Sequence, residues 1–218
     1  MNEPLLDLFG FLGGTVAVLV DRRRAVLLAS AAVAVGLMPS AVGFGGSPAA
    51  FVLAGSVVVG AALGGVARLA GTRTHAGGGI DPLVPVYAPR RELFGPRSLR
   101  LVAAALSLPA ASWISYNVPV GLIVPIRGML FPVAFLWICG ALRILLARTI
   151  EDLAVGTAVI GLAAAVGWLA RGGVQPILGA VLMASLVPLA SMVAEFLGGR
   201  RAASVRAPAA SQPTEGVA

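Results

Sequence analysis

The stretch Asp21-Arg22-Arg23-Arg24, followed by AVLLASAAVAVGLMPSAVG at residues 25–43, decides the fold. As a helix, those nineteen residues without an ionisable group rise about 28 Å, close to the ~30 Å hydrocarbon core of a bilayer. The arginines ahead of them have the composition of a cytoplasmic flank. The same alternation of apolar run and arginine cluster recurs along the chain. Further apolar runs occupy 49–70, 100–118, 129–147, 150–170 and 176–197, and a shorter one, carrying Asp7, occupies 5–20.

Composition agrees with this reading. Of 218 residues, 58 % are apolar and 11 % charged, against roughly a quarter charged in soluble domains. The mean hydropathy is +0.95. A soluble globule and a disordered chain are both excluded, because so much apolar surface needs lipid as its solvent. The expected fold class is all-α, a polytopic transmembrane helical bundle.

Arginine placement sets the threading. The connections before 25, between 70 and 100, between 147 and 150 and after 197 collect fourteen of the sixteen arginines, counting those at the helix ends. The alternate connections hold only Arg127 and Arg171. A wrong span count would scramble that alternation. The arginine-rich side is expected to be cytoplasmic, which places the loop 71–99 and the C-terminus in the cytoplasm. The run 5–20 has acidic residues, Glu3 and Asp7, at its start and its arginines after it, the reverse of a cleavable signal peptide. It reads as a seventh span inserted with its N-terminus outside. Its sixteen residues rise only about 24 Å, so the alternative is six spans plus an N-terminal interfacial helix. The tail 200–218, rich in Ala, Pro and Ser, is expected to be disordered. The loop 71–99 carries Gly77-Gly78-Gly79 and four prolines, which favour turning or extended chain. No internal repeat stands out.

The rare residues exclude several chemistries. There is no lysine, hence no Schiff base and no phosphate-binding loop ending in Gly-Lys-Ser/Thr. A single cysteine, Cys139, permits no internal disulfide, and a single histidine, His75, cannot pair with another to hold haem or zinc. No catalytic, cofactor-binding or metal constellation is expected. The pI near 11.4 would suit nucleic acid if the arginines formed one patch, but they are dispersed as topology signals. The expected partner is the lipid bilayer, with anionic headgroups at the cytoplasmic face.

Ionisable groups are scarce in the middles of the runs, which argues against a proton-driven pump with its acid at mid-membrane. Asp7, Arg143 and Glu195 read as interfacial side chains, with Arg143 close enough to a helix end to snorkel. Glu151 and Asp152, after Thr149, read as the acidic first turn of a capped helix.

Two clusters remain as candidates. The first is PAASWISYNVP, residues 109–119. On a helix, Ser112, Ser115 and Tyr116 share a face, and Trp113 lies one turn from Asn117. Pro119 and Pro125 oppose regular helix, and Pro132 is expected to interrupt the start of the next span. Irregular backbone at membrane depth persists where protein or a water-filled cavity covers it. The functional reading is a pocket lined by Ser112, Trp113, Ser115, Tyr116 and Asn117, with Arg127 at its outer mouth. The plain alternative is a span ending in an interfacial aromatic belt. The second cluster, Arg90, Arg91, Arg97 and Arg100, would attract anionic lipid by about 1 kcal/mol per charge or dock a membrane or soluble partner. Otherwise it only fixes topology.

The two leading functional expectations are therefore a small permease or channel-like bundle and a non-catalytic membrane subunit that scaffolds a complex through loop 71–99. An intramembrane lipid enzyme ranks behind them, because no nucleophile, base and metal set appears. On a Cys139→Ser background, Gly78→Cys is expected to resist a membrane-impermeant maleimide in intact cells and to react after lysis. Labelling in intact cells would reverse the orientation.

Overall fold

The computed structural model describes residues 11–15, 17, 25–73, 96–117, 126–147, 150–172 and 175–206. All of its regular elements are helices: α1 (Ala25–Arg73), α2 (Pro96–Asn117), α3 (Ile126–Leu145), α4 (Ile150–Arg171), α5 (Pro176–Ala184) and α6 (Leu186–Arg206). Residues 11–15 are helical as well, and no strand occurs among the described residues. Three helical segments, Leu27–Ala67, Ile150–Arg171 and Pro176–Leu197, are long and apolar enough to cross a membrane, and Leu130–Leu145 is apolar but shorter. This is a membrane protein of the all-helical class.

The apolar run that opens the chain's helical series does not stop at 43. α1 continues through Pro39 and Pro48 to Arg73, and its one break is Gly46, at φ 68° and ψ −166°. That backbone is open to glycine and strained for any residue with a Cβ. The break falls inside the uncharged 44–48 segment between the two apolar runs, and it divides α1 into limbs 25–45 and 47–73. Pro109 and Pro132 likewise sit inside continuous helices. The expected interruption of the fourth apolar run at Pro132 does not occur, because tertiary neighbours and local adjustment re-satisfy the carbonyls that proline frees. At the other end α6 is helical through Arg206, past the point where composition favoured disorder; residues 207–218 lie outside the described residues.

α5 and α6 form one near-continuous rod. Pro188 has no N–H to offer the carbonyl of Ala184, and the helix loosens there into a turn at Ser185. The Ser185 amide still donates to the Val181 carbonyl at 2.9 Å. α5 starts with Pro176 in its first turn, where proline costs no hydrogen bond. α4 ends at Gly172, whose φ of 69° closes the helix with its amide donating to the Leu169 carbonyl.

α4 is the centre of the bundle and touches α1, α3, α5 and α6. Its buried residues, among them Ala154, Val155, Ala158, Val159, Leu162, Ala163 and Val166, cover most of its circumference, leaving one face, with the exposed Leu153 and Trp168, turned outward. A helix apolar on nearly every face belongs inside. Small residues let its neighbours approach. A Cβ on Gly156 would stand 2.6 Å from Ile144 Cγ1 and 2.8 Å from the Gly140 carbonyl oxygen. A Cβ on Gly140 would likewise meet Ile160 and the Gly156 carbonyl. α3 and α4 therefore cross in backbone contact, in antiparallel register. A Cβ on Gly179 would collide with the Trp168 indole, which lies directly on α5. Limb 47–73 runs parallel to α6, Gly60 lying against Val187 and Ser191 and Gly64 against Ser191 and Glu195. The bundle's exterior, including Phe51, Val58, Val66, Leu101, Leu106, Leu182 and Leu189, is apolar, as a lipid-covered surface must be.

The N-terminal residues pack into this bundle. Phe11 stacks on Phe131 and Phe135 at centroid distances of 5.4 and 4.7 Å. Gly13 lies against Ala32 and Val33, and Gly14 against Phe135 and Leu136.

Gly156→Val is expected to destabilise the detergent-solubilised protein by about 1–3 kcal/mol through overpacking. Gly55→Val serves as the control, because a Cβ there meets nothing within 4 Å; it should stay within about 0.5 kcal/mol. Equal unfolding midpoints for the two variants would contradict the α3–α4 crossing described above.

Candidate functional site

The backbone of α2 turns one narrow face to the bundle, Ser107, Ala111 and Ser115, spaced four residues apart and all buried. This spacing stacks them along one side of a helix. Residues one position on, Leu108 and Tyr116, are exposed. α2 contacts α3, and the Ser107 hydroxyl lies 3.7 Å from the thiol of the buried Cys139. Ser107 is ten residues before the end of α2, and Cys139 thirteen after the start of α3. Comparable offsets on either side of a short connection are those of an antiparallel hairpin.

One turn beyond Cys139, and also one turn beyond Gly140, is Arg143. Sequence reasoning placed its guanidinium at the headgroups. The structure overturns that: Arg143 is 2 % exposed and forms an ion pair with Asp152 of α4, itself 3 % exposed. The correction has a physical cause. A side chain one turn from a helix end can snorkel to water, but an arginine facing a carboxylate across a glycine-tight crossing finds its counter-charge nearer than the headgroups. Asp152 keeps its predicted place in the first turn of α4 and adds to it this cross-hairpin role. Its supposed cap partner Thr149 lies outside the described residues.

Polar side chains therefore follow the α2–α3–α4 seam: Ser115 and Ser107 on α2, Cys139 and Arg143 on α3, and Asp152 on α4. Of the seven buried polar or charged residues among those described, four are on this seam; the others are Ser30 and Ser40 on α1 and Ser191 on α6. The serines are locally satisfied. Ser115 donates to the Ser112 carbonyl at 2.8 Å, and Ser107 donates to the Ala104 carbonyl. Each hydroxyl oxygen then presents its lone pairs to the seam, and at Ser107 the neighbour they meet is the Cys139 thiol.

The residues singled out from sequence divide. Ser115 is buried on the seam and Ser112 is half-buried beside it. Trp113 and Tyr116 point outward, 67 % and 69 % exposed. Asn117 is exposed, and its side-chain amide donates to the Trp113 carbonyl at 2.8 Å. α2 thus puts its serines inside and its aromatics on the outer surface, where an interfacial belt belongs. Arg171 at the far end of α4 lies 5.6 Å over the ring of Trp168, a second aromatic and cationic anchor. Arg127 is in the first turn of α3, and Arg97 and Arg100 are in the first turns of α2; their side chains lie outside the described residues. Arg90, Arg91 and residues 118–125 lie outside them altogether. Glu195 is half-buried beside Gly64.

Sequence reasoning missed Ser107, Cys139 and the Arg143–Asp152 pair. The signal was present: Arg143 lies two residues before the end of α3 and Asp152 two after the start of α4, opposite charges at matching distances from a turn. Among the described residues no group of three His, Cys, Asp or Glu side chains is placed to hold a metal.

Removing one member of a buried pair strands the other. Asp152→Leu is expected to destabilise the protein by about 3–5 kcal/mol, whereas Arg143→Leu combined with Asp152→Leu restores near-wild-type stability. Reversible unfolding in mixed detergent reads both. A single variant as stable as wild type would remove the pair from the structure's account.

The chain matches no family model, and searches of curated proteins and of solved structures returned no significant match.

Proposed function

We propose that this chain is a multi-pass protein of the cell membrane, with seven spans and a cytoplasmic C-terminus, that acts as a small permease or channel-like bundle. One observation carries the reading: buried hydroxyl, thiol and charged groups are aligned along the α2–α3–α4 seam of an otherwise apolar bundle. Polar groups inside a membrane are costly and mark solute or ion routes. The route runs from the Ser112–Asn117 end of α2, past Ser107 and Cys139, to Arg143 and Asp152. The span count is supported by the Gly46 break, which leaves α1 limbs of 21 and 27 residues, each about 30–40 Å long. It is also supported by the packing of Phe11, Gly13 and Gly14 against α1 and α3. The orientation is supported by the arginine distribution.

A second reading has its own support. The glycine-mediated contacts around α4 make a rigid body of α3, α4 and α5, as suits a non-catalytic subunit that anchors a complex through loop 71–99 and anionic headgroups at the cytoplasmic face.

Purified protein in liposomes separates the two. On the first reading glycerol enters faster than into protein-free vesicles. Asn117→Leu, at the exposed mouth, lowers that rate several-fold while the protein still assembles. Protein-free rates for glycerol and for glycine, a second small polar solute, would together end the transport reading. The scaffold reading instead expects a co-purifying protein that is lost when Arg90 and Arg91 are both changed to Ala.

A further inference from the structure

From the charge balance of the seam, and resting on the transport reading above, we infer that the solute recognised at Arg143 and Asp152 is a small zwitterion, one carrying a carboxylate and an ammonium group. The two side chains are ion-paired and buried, so with no solute present each charge meets an opposite charge inside the bundle. A solute that binds there must part them, at least in part, and must leave neither charge uncompensated in a medium of low dielectric.

The three charge classes of solute differ sharply on that condition. An anion satisfies the guanidinium but strands the Asp152 carboxylate. A cation satisfies Asp152 and strands Arg143. Stranding a buried charge costs roughly two to four powers of ten in affinity. An uncharged polyol replaces neither half of the ion pair. A zwitterion supplies a carboxylate to Arg143 and an ammonium to Asp152, and it adds no net charge to the pair.

Geometry supports side-chain movement as the means of parting. α3 and α4 are in backbone contact at Gly140 and Gly156, one turn from the pair, so the helices do not separate there. Arginine has a long flexible stem and swings without backbone change. The seam leading to it, with Ser107 and Cys139 one turn away, is polar but uncharged. Among the described residues it offers no competing ionic site ahead of the pair.

The test is uptake of radiolabelled glycine into proteoliposomes, with permanently charged competitors that cannot cross lipid as neutral acids or bases. Saturable glycine uptake is expected, with little competition from methanesulfonate or from tetramethylammonium. The Arg143→Leu, Asp152→Leu double variant, checked for a wild-type unfolding midpoint, is expected to lose at least about tenfold of that uptake, equivalent to 1.4 kcal/mol or more. Competition by either single-charged ion as strong as that by unlabelled glycine would overturn the inference. So would full glycine uptake by the folded double variant. Glycerol entry without glycine uptake would remove the zwitterion assignment and leave the transport reading in place. Entry of neither solute would remove both.

Discussion

An arginine stays inside an apolar bundle only when a counter-charge meets it there, and the α3–α4 hairpin is built around that condition. Arg143 and Asp152 face each other across the turn, and the Gly140–Gly156 crossing holds the two helices close enough for them to do so. The crossing and the pair depend on each other. Bulk at either glycine would push the helices apart and separate the charges. Loss of either charge would leave the other stranded beside a close backbone contact. Because α4 also touches α1, α5 and α6, the register of this hairpin is passed to the rest of the bundle.

The packing around α4 uses the means available inside a membrane. Association between helices there gains little from burying apolar surface, since lipid is as apolar as a neighbouring helix. Close van der Waals contact and polar pairs replace it. The structure shows both: glycines at the α3–α4 and α4–α5 contacts, and a line of buried polar groups at the α2–α3–α4 seam. The larger aliphatic side chains, which would fill the core of a soluble protein, are mostly on the outside.

α2 shows how one helix serves two surfaces. Its stripe of Ser107, Ala111 and Ser115, spaced four residues apart, faces the bundle, and its Trp113 and Tyr116 face outward. The sequence 109–119 contains both sets of residues, which made it legible as a region of interest but not as a division of labour. Ser115 and Tyr116 are adjacent and fall within one broad arc of a helical wheel. Only the direction from which α3 approaches separates them. Ser107 and Cys139, thirty-two residues apart, carried no local signal at all, because a contact between helices is written in neither one alone.

The amino-acid sequence by itself determined that the chain is helical and belongs in lipid, because uncharged runs of bilayer length admit no other solvent. The uncharged 44–48 segment between two of those runs also holds the Gly46 break of α1. Sequence alone misjudged proline, which bends local expectation more than it bends a helix supported by neighbours, as Pro132 shows. The fate of Arg143 was left to the tertiary structure. A guanidinium one turn from a helix end has two refuges, the headgroups and a buried carboxylate. The choice between them turns on a distance between two helices, which no single stretch of sequence contains.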